Sequence, residues 1–145
     1  MFRTGDKTDF ERMLDDLLAR HRMTAATATL EVESQFAASA GQSSRLPLAI
    51  ELRITPIHES ALADAMRLLV QFSERTGIAV TELCGVARPK LASFTNQVLE
   101  RMVLAANRMR LTQAIAEFRE RFNRRVEHAL RDVGKRRGRP TGVSS

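Results

Sequence analysis

The side chains that could support catalysis or metal binding are three histidines and one cysteine. His21, His58 and His128 lack the spacing of four residues that places two imidazoles on one helical face for a metal. We interpret them as solvated or capping side chains. Cys84 has no histidine close in sequence to act as its base, so we interpret it as a small buried residue. The sequence therefore predicts a protein that is not an enzyme, with no catalytic, cofactor or metal site.

A basic run near the C-terminus carries a more specific chemistry, and its residues are Lys135, Arg136, Arg137, Gly138, Arg139 and Pro140. The run resembles the AT-hook, whose Arg-Gly-Arg-Pro core lies extended in the narrow minor groove of A·T-rich DNA. In that resemblance Gly138 lets the backbone approach the groove floor, while Arg137 and Arg139 point along the groove. Arg124, Arg125 and Arg131 would support the same contact from the preceding segment. The alternative is a solvated, disordered tail over residues 135–145.

The distribution of charge also favours an acidic partner for the C-terminal end. From Arg101 onward there are 12 Lys or Arg and four Asp or Glu, whereas residues 1–100 hold 11 basic and 13 acidic residues. A basic end of this kind most often binds nucleic acid, and a solvated helix face is the alternative. Double-stranded DNA is therefore one predicted partner.

The stretch from Pro89 to Val133 repeats apolar residues in steps of three and four, which predicts one long helix. At 1.5 Å per residue this helix would be about 65 Å long, which exceeds the core of a domain this size. We therefore expect its stripe to meet a partner subunit, a groove or an apolar surface, and we expect a homo-oligomer. Coiled-coil or core packing is the usual role of such a stripe. Its candidate surface residues are Leu91, Phe94, Val98, Met102, Met109, Ile115, Phe118, Phe122 and Val126.

The same region resembles the phasins in three short pieces, which are Leu91-Ala92-Ser93-Phe94-Thr95, Leu99-Glu100 and Gln113-Ala114-Ile115-Ala116-Glu117-Phe118. A basic amphipathic run follows them. Phasins are helical proteins that coat polyhydroxyalkanoate granules in bacteria, so the resemblance implies a non-enzymatic coat or interaction protein. Its expected partner is a polyester granule or another protein. Some granule-coating proteins also carry basic tails that attach to DNA, so this resemblance and the AT-hook resemblance are compatible.

The N-terminal third mixes two kinds of pattern. Residues 8–11 form a capping box that predicts a helix ending near Arg22. Apolar and polar residues then alternate in 28–33 and 48–54, which predicts two strands joined by a long loop. Continuation of the helix across residues 25–40 is the alternative.

The middle of the chain predicts a helix that begins at Pro56 and stops at Gly77. A short helix should follow over residues 81–87, and a bend at Arg88-Pro89 would fold the flanking helices into a hairpin. The predicted fold is mainly α (α+β), a long amphipathic helical hairpin with a small two-stranded β ribbon near the N-terminal third. Residues 1–134 would form one domain. No signal peptide or membrane span is visible, so we expect a cytoplasmic protein.

Overall fold

Four long helices account for almost all of the computed structural model. It describes the backbone of residues 2–38 and 45–138, and the side chains of residues 7–38 and 45–135. The helices are α1 (Phe2–Ala38), α2 (Leu46–Thr76), α3 (Val80–Arg108) and α4 (Thr112–Gly138). Within the described ranges the chain forms no strand. The fold is a helical bundle.

Polar contacts between helices show the up-down-up-down arrangement. Glu31 forms an ion pair with Arg53, and the His21 imidazole lies 2.9 Å from a carboxylate oxygen of Asp64, so α1 and α2 run antiparallel. Arg88 pairs with Glu127 near the start of α3 and the middle of α4. The third helix packs against each of the other three, whereas α4 packs mainly against α2 and α3. α2 likewise packs against each of the other three helices, so α2 and α3 are the central pair, and α1 and α4 lie at the edges of the bundle.

The core is made by one apolar stripe from each helix, because residues three and four apart share a helical face. Its largest fully buried side chains include Phe10, Leu14, Ile50, Ile54, Leu69, Phe72, Leu83, Leu91, Phe94 and Phe122. The Phe10 and Phe72 rings meet at a centroid distance of 5.4 Å and join α1 to α2. All four helices thus contribute to a single core.

The predicted β ribbon is wrong, because α1 continues to Ala38 and α2 already begins at Leu46. The alternating segments also contain a helical pattern that the structure uses. Ala25, Ala28 and Val32 are buried on one face of α1, and Ile50 and Ile54 on one face of α2. The other apolar residues of the alternation, such as Leu30 and Leu52, point outward and are exposed. The helical alternative for residues 25–40 is confirmed as far as Ala38.

Both internal prolines lie inside helices rather than at helix ends. Pro56 is in the interior of α2, where Pro47 occupies the first turn instead, and Pro89 is in the interior of α3. α3 therefore does not end at Arg88-Pro89, and the prediction of a hairpin at this point is wrong. A proline removes one backbone donor, but tertiary packing on both sides of the position can hold the helix together. In α2 the Thr55 hydroxyl donates to the Glu51 carbonyl at 2.7 Å, which adds a bond beside the proline.

The predicted stop at Gly77 is confirmed. This glycine ends α2 with φ of 78°, and its N–H donates to the Ser73 carbonyl at 2.8 Å. Glycine adopts this left-handed conformation without the steric cost that other residues bear. The turn at residues 77–79 is therefore where α2 and α3 fold back on each other.

The predicted single helix from Pro89 to Val133 is also wrong, because the chain turns at residues 109–111. Arg110 takes a left-handed conformation with φ of 59°, and its N–H donates to the Asn107 carbonyl at 3.0 Å. The Leu111 N–H donates to the Ala106 carbonyl at 2.9 Å. This turn satisfies backbone groups at the end of α3 and folds the second half of the apolar stripe onto the first. A helical hairpin buries that stripe without any partner.

Candidate functional site

The predicted surface stripe is mostly buried inside the bundle. Leu91, Phe94, Val98 and Met102 of α3 and Phe118, Phe122 and Val126 of α4 all belong to the core, while Met109 and Ile115 near the turn are half-buried. Because the two halves of the stripe cover each other, the stripe is not exposed on a single copy of the chain. The reason for expecting an oligomer through this stripe therefore disappears.

The predicted DNA-binding residues fall into three groups. Arg124, Arg131 and Lys135 are exposed on α4, whereas Arg125 is partly buried. Residues 136–138, with Arg136, Arg137 and Gly138, lie in the last turn of α4, and their side chains are outside the described set. Arg139 and the residues after it are outside the described part of the chain.

Two arginines of α4 face the bundle and take part in its packing. Arg121 pairs with Glu51 at 2.7 Å, and Glu51 is only 7% exposed. The Arg121 guanidinium also lies over the Phe118 ring, 5.2 Å from its centroid. Since a buried carboxylate without a partner is costly, Arg121 stabilises the α2–α4 contact. Its charge is largely compensated within the protein.

The second inward-facing arginine is Arg125. Its guanidinium lies 4.7 Å from the centroid of the Phe122 ring and 3.9 Å from a Glu59 oxygen. One of its terminal nitrogens is buried without a hydrogen-bond partner among the described residues. Such packing of a guanidinium on an aromatic face contributes to stability. We therefore assign Arg125 to the fold rather than to a binding surface.

His58 is the centre of a buried polar contact between three helices. Its side chain is completely buried, and its ring stacks on Phe94 of α3 and packs at a tilt against Phe122 of α4. Nε2 lies 2.9 Å from the Thr95 hydroxyl oxygen, and that hydroxyl donates to the Leu91 carbonyl at 2.8 Å. The Thr95 oxygen therefore accepts a hydrogen bond from the Nε2–H group of His58, and the unprotonated Nδ1 is buried without a hydrogen-bond partner among the described residues.

Burial, and then the positive charge of Arg125, lower the pKa of His58 from 6.5 to about 4. Near neutral pH the imidazole is uncharged, so it links α2 to α3 without placing a charge in the core. The prediction that all three histidines are solvated or capping residues is wrong for His58. The signal lay in its spacing, since His58 follows the core residue Ile54 by four and precedes Ala61 by three.

The exposed side of α4 carries a regular row of basic residues. Arg124, His128, Arg131 and Lys135 follow one another at spacings of four, three and four, and each is exposed. We call these four residues the basic row. They occupy one helical face over about 17 Å. With Arg121 and Arg125, the first two of them line a shallow depression of about 320 Å³.

The basic row keeps most of its charge available to a partner. Arg124 pairs with Glu120 one turn away, but both side chains are about two-thirds exposed, so this pair is weak. Arg131 and Lys135 form no ion pair with any other residue whose side chain is described. An anion with repeated charges, such as a phosphate backbone, fits a row of this type.

Cys84 and a groove between α1 and α3 are two further features of the described residues that bear on chemistry. Cys84 is buried, and burial raises the pKa of its thiol, so the thiolate is disfavoured. A groove of about 780 Å³ lies between α1 and α3, and Lys90 on its wall pairs with Asp15 at 2.9 Å. Among the described side chains, no group of three His, Cys, Asp or Glu residues could hold a metal ion.

None of the four helices, over the residues described, is long and apolar enough to cross a membrane. Comparison with known proteins found no matching family model, no matching curated protein and no matching solved structure.

Proposed function

We propose that this protein binds double-stranded DNA through the basic row of α4. The observation that carries this proposal is the row itself, an exposed helical face with Arg124, His128, Arg131 and Lys135 at regular spacing. The helix has eight Lys or Arg and four Asp or Glu. Three fixed cations on one face can contact successive phosphates, while the His128 side chain adds a further hydrogen-bonding group.

Duplex DNA fits the surface better than a single strand. Proteins that bind single strands use exposed aromatic rings on which bases stack. The chain has no Trp or Tyr, and the described phenylalanines are buried or half-buried. The binding energy would therefore come from phosphate contacts, which depend on salt and carry little sequence preference.

The test compares two double variants with the same change in net charge. Arg131→Ala with Lys135→Ala removes two charges from the basic row, and Arg12→Ala with Arg45→Ala removes two exposed charges that lie outside α4. We expect the row variant to lose about tenfold in DNA affinity at low salt. Its log–log salt slope should become shallower by about two, at roughly 0.9 per phosphate contact. Equal loss in both variants, or loss in neither, would reject the row as the binding surface.

The AT-hook resemblance adds a second expectation about sequence preference. Since α4 continues to Gly138, an extended hook would require the end of the helix to unwind on DNA. Gly138→Ala favours helix and adds a methyl group at the groove floor, so it should reduce any preference for A·T-rich duplex. Unchanged preference in this variant would leave the basic row alone as the proposed contact.

A second function, coating an apolar particle as phasins do, is favoured by exposed leucines on α2. Leu48 and Leu52 are four residues apart and more than half exposed. Because the stripe of α3 and α4 is buried, coating by the closed bundle would use these leucines instead. Leu48→Asp with Leu52→Asp should then reduce adsorption to polyester particles several-fold while the helical circular dichroism is retained. Full adsorption by the double variant would contradict this form of the coat proposal.

A further inference from the structure

The outward face of α1 changes its chemistry halfway along the helix. In its first half this face carries exposed charges, including Arg12 and Asp16. From Met23 to Leu30 the sequence has no charged residue, and these two side chains are 68% and 55% exposed. The core-facing side of the same segment is already covered by the bundle, since Ala25 and Ala28 are buried. The exposed side of this segment is therefore a second, uncharged face, on which Met23, Ala26 and Leu30 lie beside Thr24 and Thr27.

The residues of this face have the spacing of a helix–helix seam. Met23, Leu30 and Ala37 are seven residues apart, and Ala26 lies three after Met23 and four before Leu30. All four are exposed. A repeat of seven with alternating steps of three and four is the pattern by which one helix packs along another. The occupant that fits is therefore a helix with the same pattern.

The flanking charges select a second copy of this chain in the antiparallel direction. Arg20 and Arg22 precede the apolar segment, and Glu31 and Glu33 follow it. If two copies cross with their centre between residues 26 and 27, Arg20 and Arg22 of one lie beside Glu31 and Glu33 of the other. A parallel pairing would instead place like charges together. In this symmetric arrangement each favourable contact occurs two times, once on each side of the two-fold axis.

The charges at these flanks are open to a second partner. Glu31 pairs with Arg53 within the chain, but its side chain remains 57% exposed, and a carboxylate can accept from two cations. Arg20 is exposed and forms no ion pair with the other described side chains. Glu33 is less exposed because it pairs with Arg101. The Arg20–Glu31 contact is therefore the main electrostatic determinant of direction.

We propose that two copies of this protein associate antiparallel through the outward faces of α1, with Met23 of each packed against Leu30 of the other. This surface is distinct from the α3–α4 stripe and from the basic row. The proposal does not depend on DNA binding.

The first experiment measures self-association by sedimentation equilibrium. We expect the wild-type protein to dimerise at micromolar concentrations and Leu30→Glu to weaken the dimer more than about tenfold, because a charge enters the seam. Leu52→Glu is the matched control, since Leu52 is as exposed but lies on α2. Circular dichroism should report the same helicity for all three proteins. A monomeric wild type, or equal loss in the control, would overturn the proposal.

The direction of pairing is tested by cross-linking and by charge reversal. A mixture of Met23→Cys and Leu30→Cys proteins should form a disulfide between the two variants under oxidising conditions, and Met23→Cys alone should not. Every sample also contains the buried Cys84, so any cross-linking through this residue is the same in all of them. Arg20→Glu should weaken the dimer, and adding Glu31→Arg should restore it. Efficient cross-linking of Met23→Cys to itself, or no rescue by the second reversal, would exclude the antiparallel dimer.

Discussion

The basic residues of α3 and α4, the two helices that were predicted as one, differ in how they are paired with acidic residues. On α3, Lys90 pairs with Asp15 and Arg101 pairs with Glu33, so acidic residues of α1 compensate both cations. On the outer face of α4, Arg131 and Lys135 have no such partner among the described side chains. This difference follows from position, because α3 packs against α1, which supplies these acidic residues, whereas α4 packs mainly against α2 and α3. Ion pairing across the bundle, more than the number of charges, determines where a binding surface lies.

A similar contrast exists between the two sides of α4. Arg121 and Arg125 are half-buried against the bundle and contact Glu51, Phe118 and Phe122, whereas the neighbouring basic row is exposed to solvent. The same residue type therefore stabilises the fold on one side and is available for binding on the other. The following changes test both contrasts.

The largest expected effect tests whether α4 is an integral part of the bundle despite its position at the edge. Phe122 is completely buried and contacts His58 of α2 and Arg125. Phe122→Ala should lower the free energy of unfolding by about 3–5 kcal/mol, because it removes a large core side chain. Urea denaturation measures this value. Phe36→Ala, at a half-buried position of α1, should cost clearly less. A loss below about 1 kcal/mol for Phe122→Ala would mean that α4 is only loosely attached.

The next effect concerns pH and the contact that joins α3 to α4 through α2. His58 is enclosed by Phe94 and Thr95 of α3 and by Phe122 and Arg125 of α4. Its pKa is about 4 in the folded protein and 6.5 in the reference state, so the unfolded chain binds more protons between these values. Stability should therefore fall as pH decreases from about 6.5 to about 4, by roughly 3 kcal/mol from this group.

Carboxylates in general also bind protons at the acid end of this range. The contribution of His58 is isolated by subtracting the pH dependence of a His58→Gln variant from that of the wild type. The difference should level off above pH 7 and below pH 4. A difference that is flat across this range would show that His58 titrates normally in the folded protein.

Local signals in the sequence predicted some features of this fold and missed others. Gly77 was predicted correctly as a helix stop because a left-handed cap favours glycine strongly. The turn at Arg110 was missed because arginine gives no such signal, and the apolar rhythm continues across the turn. The strands were predicted because apolar and polar residues alternate, yet the Thr and Ala residues of that segment are compatible with the repeat of a strand and with that of a helix. Packing against neighbouring helices decided between the two, and a single segment does not reveal that packing.

For the candidate site, the charge pattern predicted the basic character of the C-terminal end but not which arginines of α4 pack against the bundle. Arg124 and Arg125 are neighbours in the chain, and only the position of the helix in the bundle separates their roles. His58 was missed because its buried contacts come from α3 and α4, which are distant in sequence.

A pair of arginine variants tests this division directly. Arg121→Ala leaves the buried Glu51 without its partner, so it should lower the free energy of unfolding by about 1–3 kcal/mol. Arg124→Ala removes an exposed side chain and should change stability by less than about 0.5 kcal/mol. DNA affinity, measured under conditions in which both variants are folded, should fall more for Arg124→Ala than for Arg121→Ala. A larger stability loss for Arg124→Ala would contradict the assignment of the two sides.

The smallest expected effect concerns the turn that separates α3 from α4. Arg110 has φ of 59°, a conformation that costs an ordinary residue about 1–2 kcal/mol and glycine almost nothing. Arg110→Gly should therefore raise the free energy of unfolding by about 0.5–1 kcal/mol, after allowance for the greater freedom of glycine in the unfolded chain. Arg110→Ala removes the same charge but keeps the strain of the left-handed conformation, so it serves as the control in urea denaturation. In a continuous helix from Pro89 to Val133, the Gly variant would instead be less stable than the Ala variant. Glycine in a helix interior destabilises by about 1 kcal/mol relative to alanine. The sign of the Gly–Ala difference at residue 110 therefore distinguishes a hairpin from one long helix in solution.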